Sequence, residues 1–478
     1  MTDVVPSHAP GSGPREDGER FSYRADLALL PGGWAREVLL EVGRDGSLLR
    51  VEPDSADGEG EPTGGVTVPG VPNLHSHAFQ RAMAGLAETP GGSDDTFWSW
   101  RETLYAFLQR LSPEDVEAVT AFVYMEMLLA GYTSVVEFHY LHLDPAGRPY
   151  QDPAELSRRV LAGAERAGIG LTHLPALYRS GGFGGAPPGP GQCRFLRTPD
   201  ELLELVARVR DEAVEDRRIR SGLALHSLRA VPLDALQEVL EGYESLDPEG
   251  PIHIHVSEQR REVEACLEWC GLRPVELLLD RAPVDGRWCL VHATHALGQE
   301  LAQVASRGAV VGLCPTTEAN LGDGIFPLEA YAAAGGRWGV GSDSHVSISP
   351  VEELRWLEYA QRLLREERNV LGRALNDSTG TALFLSALSG GAQATGRPVG
   401  ALEPGRQADL VVLDPELPDL RTRSPEKLLD TWIFSGNRNA VRHVMVGGRW
   451  IVRDGRHERG EEIARGYRRA ISRILDTG

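Results

Sequence analysis

Apolar and polar positions alternate in short runs at both ends of the chain, while the middle trades short apolar runs for longer stretches of helical period. Val38-Leu39-Leu40-Glu41-Val42, the turn Arg44-Asp45-Gly46 and Leu48-Leu49-Arg50-Val51 read as a hairpin, because Asp-Gly is the turn chemistry a tight hairpin takes. Far along the chain, residues 408–414 read as a strand, and 441–446, Gly447-Gly448 and 449–452 as a second hairpin. The two ends are expected to pair into one small β-sandwich domain, its first part at 21–68 and its second part, with a C-terminal helix, at 396–478.

Between them, eight short apolar runs read as strands: 66–73, 133–138, 170–177, 222–226, 251–256, 288–292, 309–314 and 337–341. Helical stretches such as 113–130, 153–167, 199–214 and 297–307 separate them. Eight strand units alternating with helices predict an α/β fold, a (β/α)8 TIM-type barrel over 69–395, rather than a doubly wound sheet. The Gly/Pro-rich piece 181–191 reads as a long loop after the third strand, and residues 1–20 as a disordered tail.

Composition narrows the setting. Hydrophobic residues make up 41% and charged residues 25%, the balance of a globular enzyme with a sizeable core. A net charge of −20 argues against nucleic acid as a partner. No apolar run of about eighteen residues predicts a membrane span, and no apolar stretch near the start reads as a signal peptide. Five scattered cysteines suit reduced thiols and a cytoplasmic protein. Lys427 is the only lysine in the chain.

In such a barrel the chemistry sits at the C-terminal ends of the strands. His75 and His77 follow the first strand, His226 ends the fourth, His253 and His255 end the fifth, and His292 ends the sixth. Asp343 and His345 follow the eighth. His75-Ser76-His77 puts two imidazoles on one side of an extended segment. Alone, that pattern equally fits a turn with two half-exposed histidines. His255 with Glu258 in a His-x-x-Glu pair, and Asp343 beyond the eighth strand, change the picture. His75, His77, His255 and Asp343 form a three-nitrogen, one-oxygen set that suits one divalent ion, Zn2+ best, with Fe2+ or Mn2+ as alternatives.

At these residues the chain resembles the amidohydrolase superfamily over nearly its whole length. Binuclear members bridge two metals with a carboxylated lysine near the fourth strand, and a chain whose one lysine is Lys427 cannot do so. Within the superfamily, residues 70–88, Phe97-Trp98-Ser99-Trp100-Arg101, His226-Ser227-Leu228-Arg229-Ala230-Val231 and residues 253–259 resemble the N-formimidoyl-L-glutamate deiminases of histidine degradation. That resemblance implies zinc-dependent hydrolysis of a linear amidine to N-formyl-L-glutamate and ammonia, and a homodimer. It implies Asp343 as metal ligand and general base, Glu258 as general acid, and His292 as a hydrogen-bond donor to the attacking oxygen. Arg101 and Arg229 are expected to take the substrate carboxylates, because the guanidinium fork matches them, with Gln80 and Tyr140 adding neutral hydrogen bonds. Arg81 and Arg179 are weaker candidates. His226 is expected near substrate, His253 as a barrel-interior residue, and His295 and His345 as supports of better-placed groups. The rival readings are a mononuclear-metal deaminase of a nucleobase or related ring, and a metal-free scaffold.

Overall fold

The computed structural model describes residues 20–55, 59–88, 97–213 and 216–475; the expected tail lies outside these apart from Arg20. Eight parallel strands form one sheet in chain order: Val71–Ser76, Tyr132–His139, Gly170–Leu177, Leu223–Ser227, Ile252–Val256, Trp288–His292, Val310–Leu313 and Arg337–Val340. They are called strands one to eight below. Nearly every position along them is buried, as in a sheet covered by helices on one side and filled by side chains on the other. Strand eight returns to strand one. The amide of Asp343 donates to the His75 carbonyl and that of His77 to the Asp343 carbonyl, both at 3.0 Å. Closing the barrel and bringing three of the candidate ligands together are therefore one set of hydrogen bonds.

The chain ends build a second, mixed sheet containing Phe21–Leu30, Gly33–Val42, Leu48–Glu52 and Val66–Pro69 from one side and Leu410–Leu413, Val441–Val446 and Arg449–Arg453 from the other. Both predicted hairpins are present in it. Its own core gathers Ala25, Val38, Leu40, Leu410, Val412 and Met445.

One expected strand is two. Val66–Pro69 belongs to the mixed sheet, paired antiparallel with Leu410–Leu413, whereas Val71–Ser76 is barrel strand one. The break falls at Gly70, where a Cβ would lie 2.1 Å from the Thr133 side chain, so only glycine lets the chain cross between sheets.

Helix Pro113–Ala130 starts at a Ser112/Asp115 capping box and stops at Gly131, whose left-handed φ of 105° ends it and leads into strand two. Helix Thr379–Thr395 lies directly on strand eight: a Cβ at Gly390 would sit 1.9 Å from the Trp338 carbonyl oxygen. The 181–191 loop carries two short 3-10 turns and stacks Phe183 on Trp269, with centroids 5.6 Å apart. Among the described residues no helix is long and apolar enough to cross a membrane.

Candidate active site

His75 and His77 leave strand one on the same side, and His255 leaves strand five facing them. Their Nε2 atoms lie 3.2 Å (His75–His77), 3.3 Å (His77–His255) and 3.0 Å (His255–His75) apart. Asp343 Oδ1 lies 3.5 Å from Nε2 of both His75 and His77. A tetrahedral ion with bonds near 2.0–2.1 Å needs ligand atoms about 3.4 Å apart, so these donors fit a single Zn2+-sized ion.

The protonation states agree with that fit. His77 Nδ1 lies 2.7 Å from the Phe138 carbonyl and His255 Nδ1 lies 2.8 Å from the His226 carbonyl, so each donates there and turns a lone pair inward at Nε2. Burial, then mutual repulsion among the rings, holds His75 and His255 well below the ordinary histidine range. Burial also lowers His77, against the pull of Asp343. Three neutral imidazoles converging on one point are ligands without an ion pair of their own.

Around this point the backbone is strained. Ser257, His292, Ala293, Asp343 and His345 all take positive φ, between 44° and 68°, at the mouths of strands five, six and eight. Non-glycine residues hold that conformation only where packing enforces it, and here it aims side chains across the barrel mouth.

Glu258, His292 and Asp343 lie together beside the three imidazoles. His292 Nε2 is 3.8 Å from Glu258 Oε1 and 3.9 Å from Asp343 Oδ2, leaving room between them for a small oxygen species. Burial raises Glu258, and His292 and Arg229 only partly offset it, which leaves the carboxyl at about 7. Burial opposes the charge on His292, but Glu258, Glu318 and Asp343 overcome it and lift the imidazole to about 10. One acid therefore holds a proton near neutrality, beside a cationic donor.

The cavity beyond, ≈ 60 Å³, is lined by Gln80, Arg101, Tyr140, His226 and Arg229 together with Trp100, Tyr178 and Phe195. Gln80 Nε2 donates to Tyr140 Oη at 2.9 Å, which frees the Tyr140 hydroxyl proton for a ligand, and Gln80 Oε1 is buried with no partner. Arg101 lies over the Trp98 ring at 4.5 Å, and its Nε is buried without a partner. Arg229 has Nε 3.9 Å from Glu262 Oε2; burial works against its charge, but Glu262 and Glu258 hold it above the usual range.

The remaining expectations separate here. His226 lines the cavity, and His253 sits in the barrel interior with Nε2 2.9 Å from the Ala394 carbonyl. His345 Nε2 is 3.0 Å from Ser76 Oγ, and so supports strand one. Arg81 is tied up by Glu126 and the His345 carbonyl, and Arg179 is exposed. Three acids went unnoticed in the sequence. Glu137 near the end of strand two accepts from Ser76, Ala78 and Tyr124; Glu318 lies 3.2 Å from His292 Nδ1; and Asp323, raised to about 9 by burial and by Glu258, is bonded to Gln259. Proximity of Glu137 to a strand end was the one signal available.

The amidohydrolase family model matches residues 66–451. Formimidoylglutamate deiminase of Pseudomonas aeruginosa is 52% identical over 95% of this chain and 99% of its own. A 5-methylthioadenosine/S-adenosylhomocysteine deaminase of Natronomonas pharaonis is 29% identical over 87% of this chain and 88% of its own. An amidohydrolase structure from Brucella melitensis superposes with a TM-score of 0.90 at 46% identity, covering 95% of this chain and 100% of that one.

Proposed function

The chain belongs to the amidohydrolase family, and we propose that it hydrolyses N-formimidoyl-L-glutamate to N-formyl-L-glutamate and ammonia. The observation that carries this is the 52% identity, end to end, with a formimidoylglutamate deiminase, joined to a site with two arginines beside the ligand set.

His75, His77, His255 and Asp343 would hold one divalent ion, and their donor set suits zinc. A divalent ion there supplies Lewis-acid chemistry, bringing the pKa of a water toward about 7. Asp343 takes one proton from the attacking water as its oxygen joins the formimidoyl carbon. His292, turned toward the same space, donates a hydrogen bond to that oxygen as negative charge grows on it. Glu258 gives its proton to the terminal nitrogen. As the C–N bond breaks, the remaining oxygen proton returns to Glu258, and the proton on Asp343 completes ammonia. Arg101 and Arg229 orient the two carboxylates, with Gln80, Tyr140 and His226 shaping the pocket wall.

Ammonia release by zinc-loaded protein offered N-formimidoyl-L-glutamate, N-formimidoyl-L-aspartate, guanine and cytosine tests the reading. Fast turnover of the glutamate compound alone, with N-formyl-L-glutamate as product, is the expected result. Turnover of a base instead would favour the ring-deaminase reading, for which the wall of Trp100, Tyr178 and Phe195 is the favouring observation.

A further inference from the structure

We propose that His292 Nδ1, Cys314 Sγ and the Glu318 carboxylate form a second transition-metal site, separate from the first, whose filling switches the active site off. His292 presents its two nitrogens to different neighbours. Nε2 faces Glu258 and Asp343, whereas Nδ1 lies 3.2 Å from Glu318 Oε1. Cys314 follows strand seven and Glu318 sits one helical turn later, in Pro315–Leu321, with its Oε1 accepting the Cys314 amide at 2.9 Å. One donor atom from each of the three residues lies within 4.8 Å of the others. All three are buried, with Cys314 fully so.

Nitrogen, sulfur and carboxylate oxygen together are the donors that Zn2+ and Co2+ take. A tetrahedral ion sets such atoms about 3.3–3.6 Å apart; the His292–Glu318 pair, at 3.2 Å, lies just short of that spacing, and the sulfur lies within 4.8 Å of both. A hydrogen bond that orients His292 accounts for Glu318, while Cys314 packs beside Leu74, Cys289, Val291, Val310 and Ala394. Cys314 is a free, buried thiol; burial first, then the charges of Asp343, Glu318 and Glu353, keep its proton on until a cation takes its place.

The second ion binds more weakly than the first. At the first site three imidazoles already present lone pairs, whereas here the ion displaces the Cys314 thiol proton to solvent and the proton on His292 Nδ1. Its arrival also breaks the Nδ1–H···Glu318 bond that aims Nε2 at the reacting oxygen. Inhibition rests on the proposed role of His292, but metal binding does not.

The test is a Co2+ titration of the protein already carrying one equivalent of metal, in wild type and in Cys314→Ser. In wild type a second equivalent is expected to bind with a thiolate-to-cobalt charge-transfer band and to lower ammonia release roughly tenfold, the size typical of losing a residue that orients a reacting group. Cys314→Ser, nearly the same size, is expected to lack the band and keep most of its turnover at the same Co2+. Failure of wild type to take up a second equivalent would overturn the site. So would a band that persists in Cys314→Ser, since it would come from Cys193 or Cys270, or equal inhibition of the two proteins. If the protein releases no ammonia from N-formimidoyl-L-glutamate, the band and the stoichiometry still decide the site.

Discussion

Ser76 Oγ donates to Glu137 Oε2 at 2.6 Å on the outer side of strand one, while His75 and His77 point to the inner side. The same carboxylate accepts the Ala78 amide at 2.8 Å and the Tyr124 hydroxyl at 2.9 Å, so it grips the residues on both sides of His77. His345 Nε2 meets Ser76 Oγ at 3.0 Å, and His345 Nδ1 meets Ser342 Oγ at 3.0 Å, which carries the grip across to the segment holding Asp343. Glu137→Gln puts an amide N–H where three donors converge on two acceptors. Metal affinity, measured by chelator competition, is expected to fall about 10- to 100-fold. In a double-mutant cycle, Ser76→Ala should add little to Glu137→Gln; additive losses would show that the two residues act separately.

The same carboxyl gives stability a pH dependence. Burial raises Glu137 to about 7, against the hydrogen bonds of Ser76, Ala78 and Tyr124. The folded state thus holds this proton more tightly than the unfolded chain, where the group titrates near 4.5. The resulting stabilisation is complete below the unfolded value and is lost as pH rises through about 7, an upper limit of about 3 kcal/mol. Other buried acids titrate too, so the informative quantity is the difference in melting temperature between wild type and Glu137→Gln without metal. That difference is expected to move against wild type between about pH 5 and about pH 8. A difference flat across that range would mean that Glu137 does not change protonation there.

Much of this was legible in the sequence, for identifiable reasons. Parallel barrel strands are short and apolar, so their rhythm shows, and the proposed ligands His75, His77, His255 and Asp343 lie where such strands end. The division at Gly70 was not legible, because apolar residues run straight through it and only the approach of Thr133 explains the glycine. Glu318 and Asp323 were missed because each sits in or just past a short helix after strand seven, where an acidic residue ordinarily faces solvent. Their burial follows from how that segment folds over His292 and Gln259, which no local pattern records.

Strand eight offers a way to disturb the site from behind. At Gly390 a Cβ meets backbone, the Trp338 carbonyl oxygen at 1.9 Å and its carbon at 2.3 Å, so no side-chain rotation relieves it. Gly390→Ala must push helix Thr379–Thr395 off strand eight at Trp338, five residues before Asp343. The expected cost is about 1–3 kcal/mol of stability, with weakened metal retention during dialysis. Loss of stability with unchanged metal retention would show that strand eight shifts without carrying Asp343.

The two arginines should fail differently when removed, because they sit in different company. Arg101 is stacked on Trp98 and is paired with no carboxylate among the described residues. Arg229 lies near Glu262 and acts on Glu258, whose carboxyl it pulls down. Arg101→Met therefore removes a carboxylate partner and little else. KM is expected to rise roughly 10- to 100-fold, the loss of a charge-assisted hydrogen bond of about 1.5–3 kcal/mol, with kcat nearly unchanged. Arg229→Met removes a carboxylate partner and also lets Glu258 rise further, so KM and kcat should change together, with the pH profile of kcat displaced upward. A substrate lacking one carboxylate, N-formimidoyl-4-aminobutyrate, separates binding from indirect damage. If Arg101 grips the missing α-carboxylate, the wild type should lose on this compound what Arg101→Met loses on the glutamate, and the variant should lose nothing more. If both penalties apply in full, Arg101 holds the other carboxylate, and the same comparison with Arg229→Met then shows whether Arg229 takes the α-carboxylate. Should both penalties apply in full in each variant, neither arginine takes the α-carboxylate, which is then recognised elsewhere.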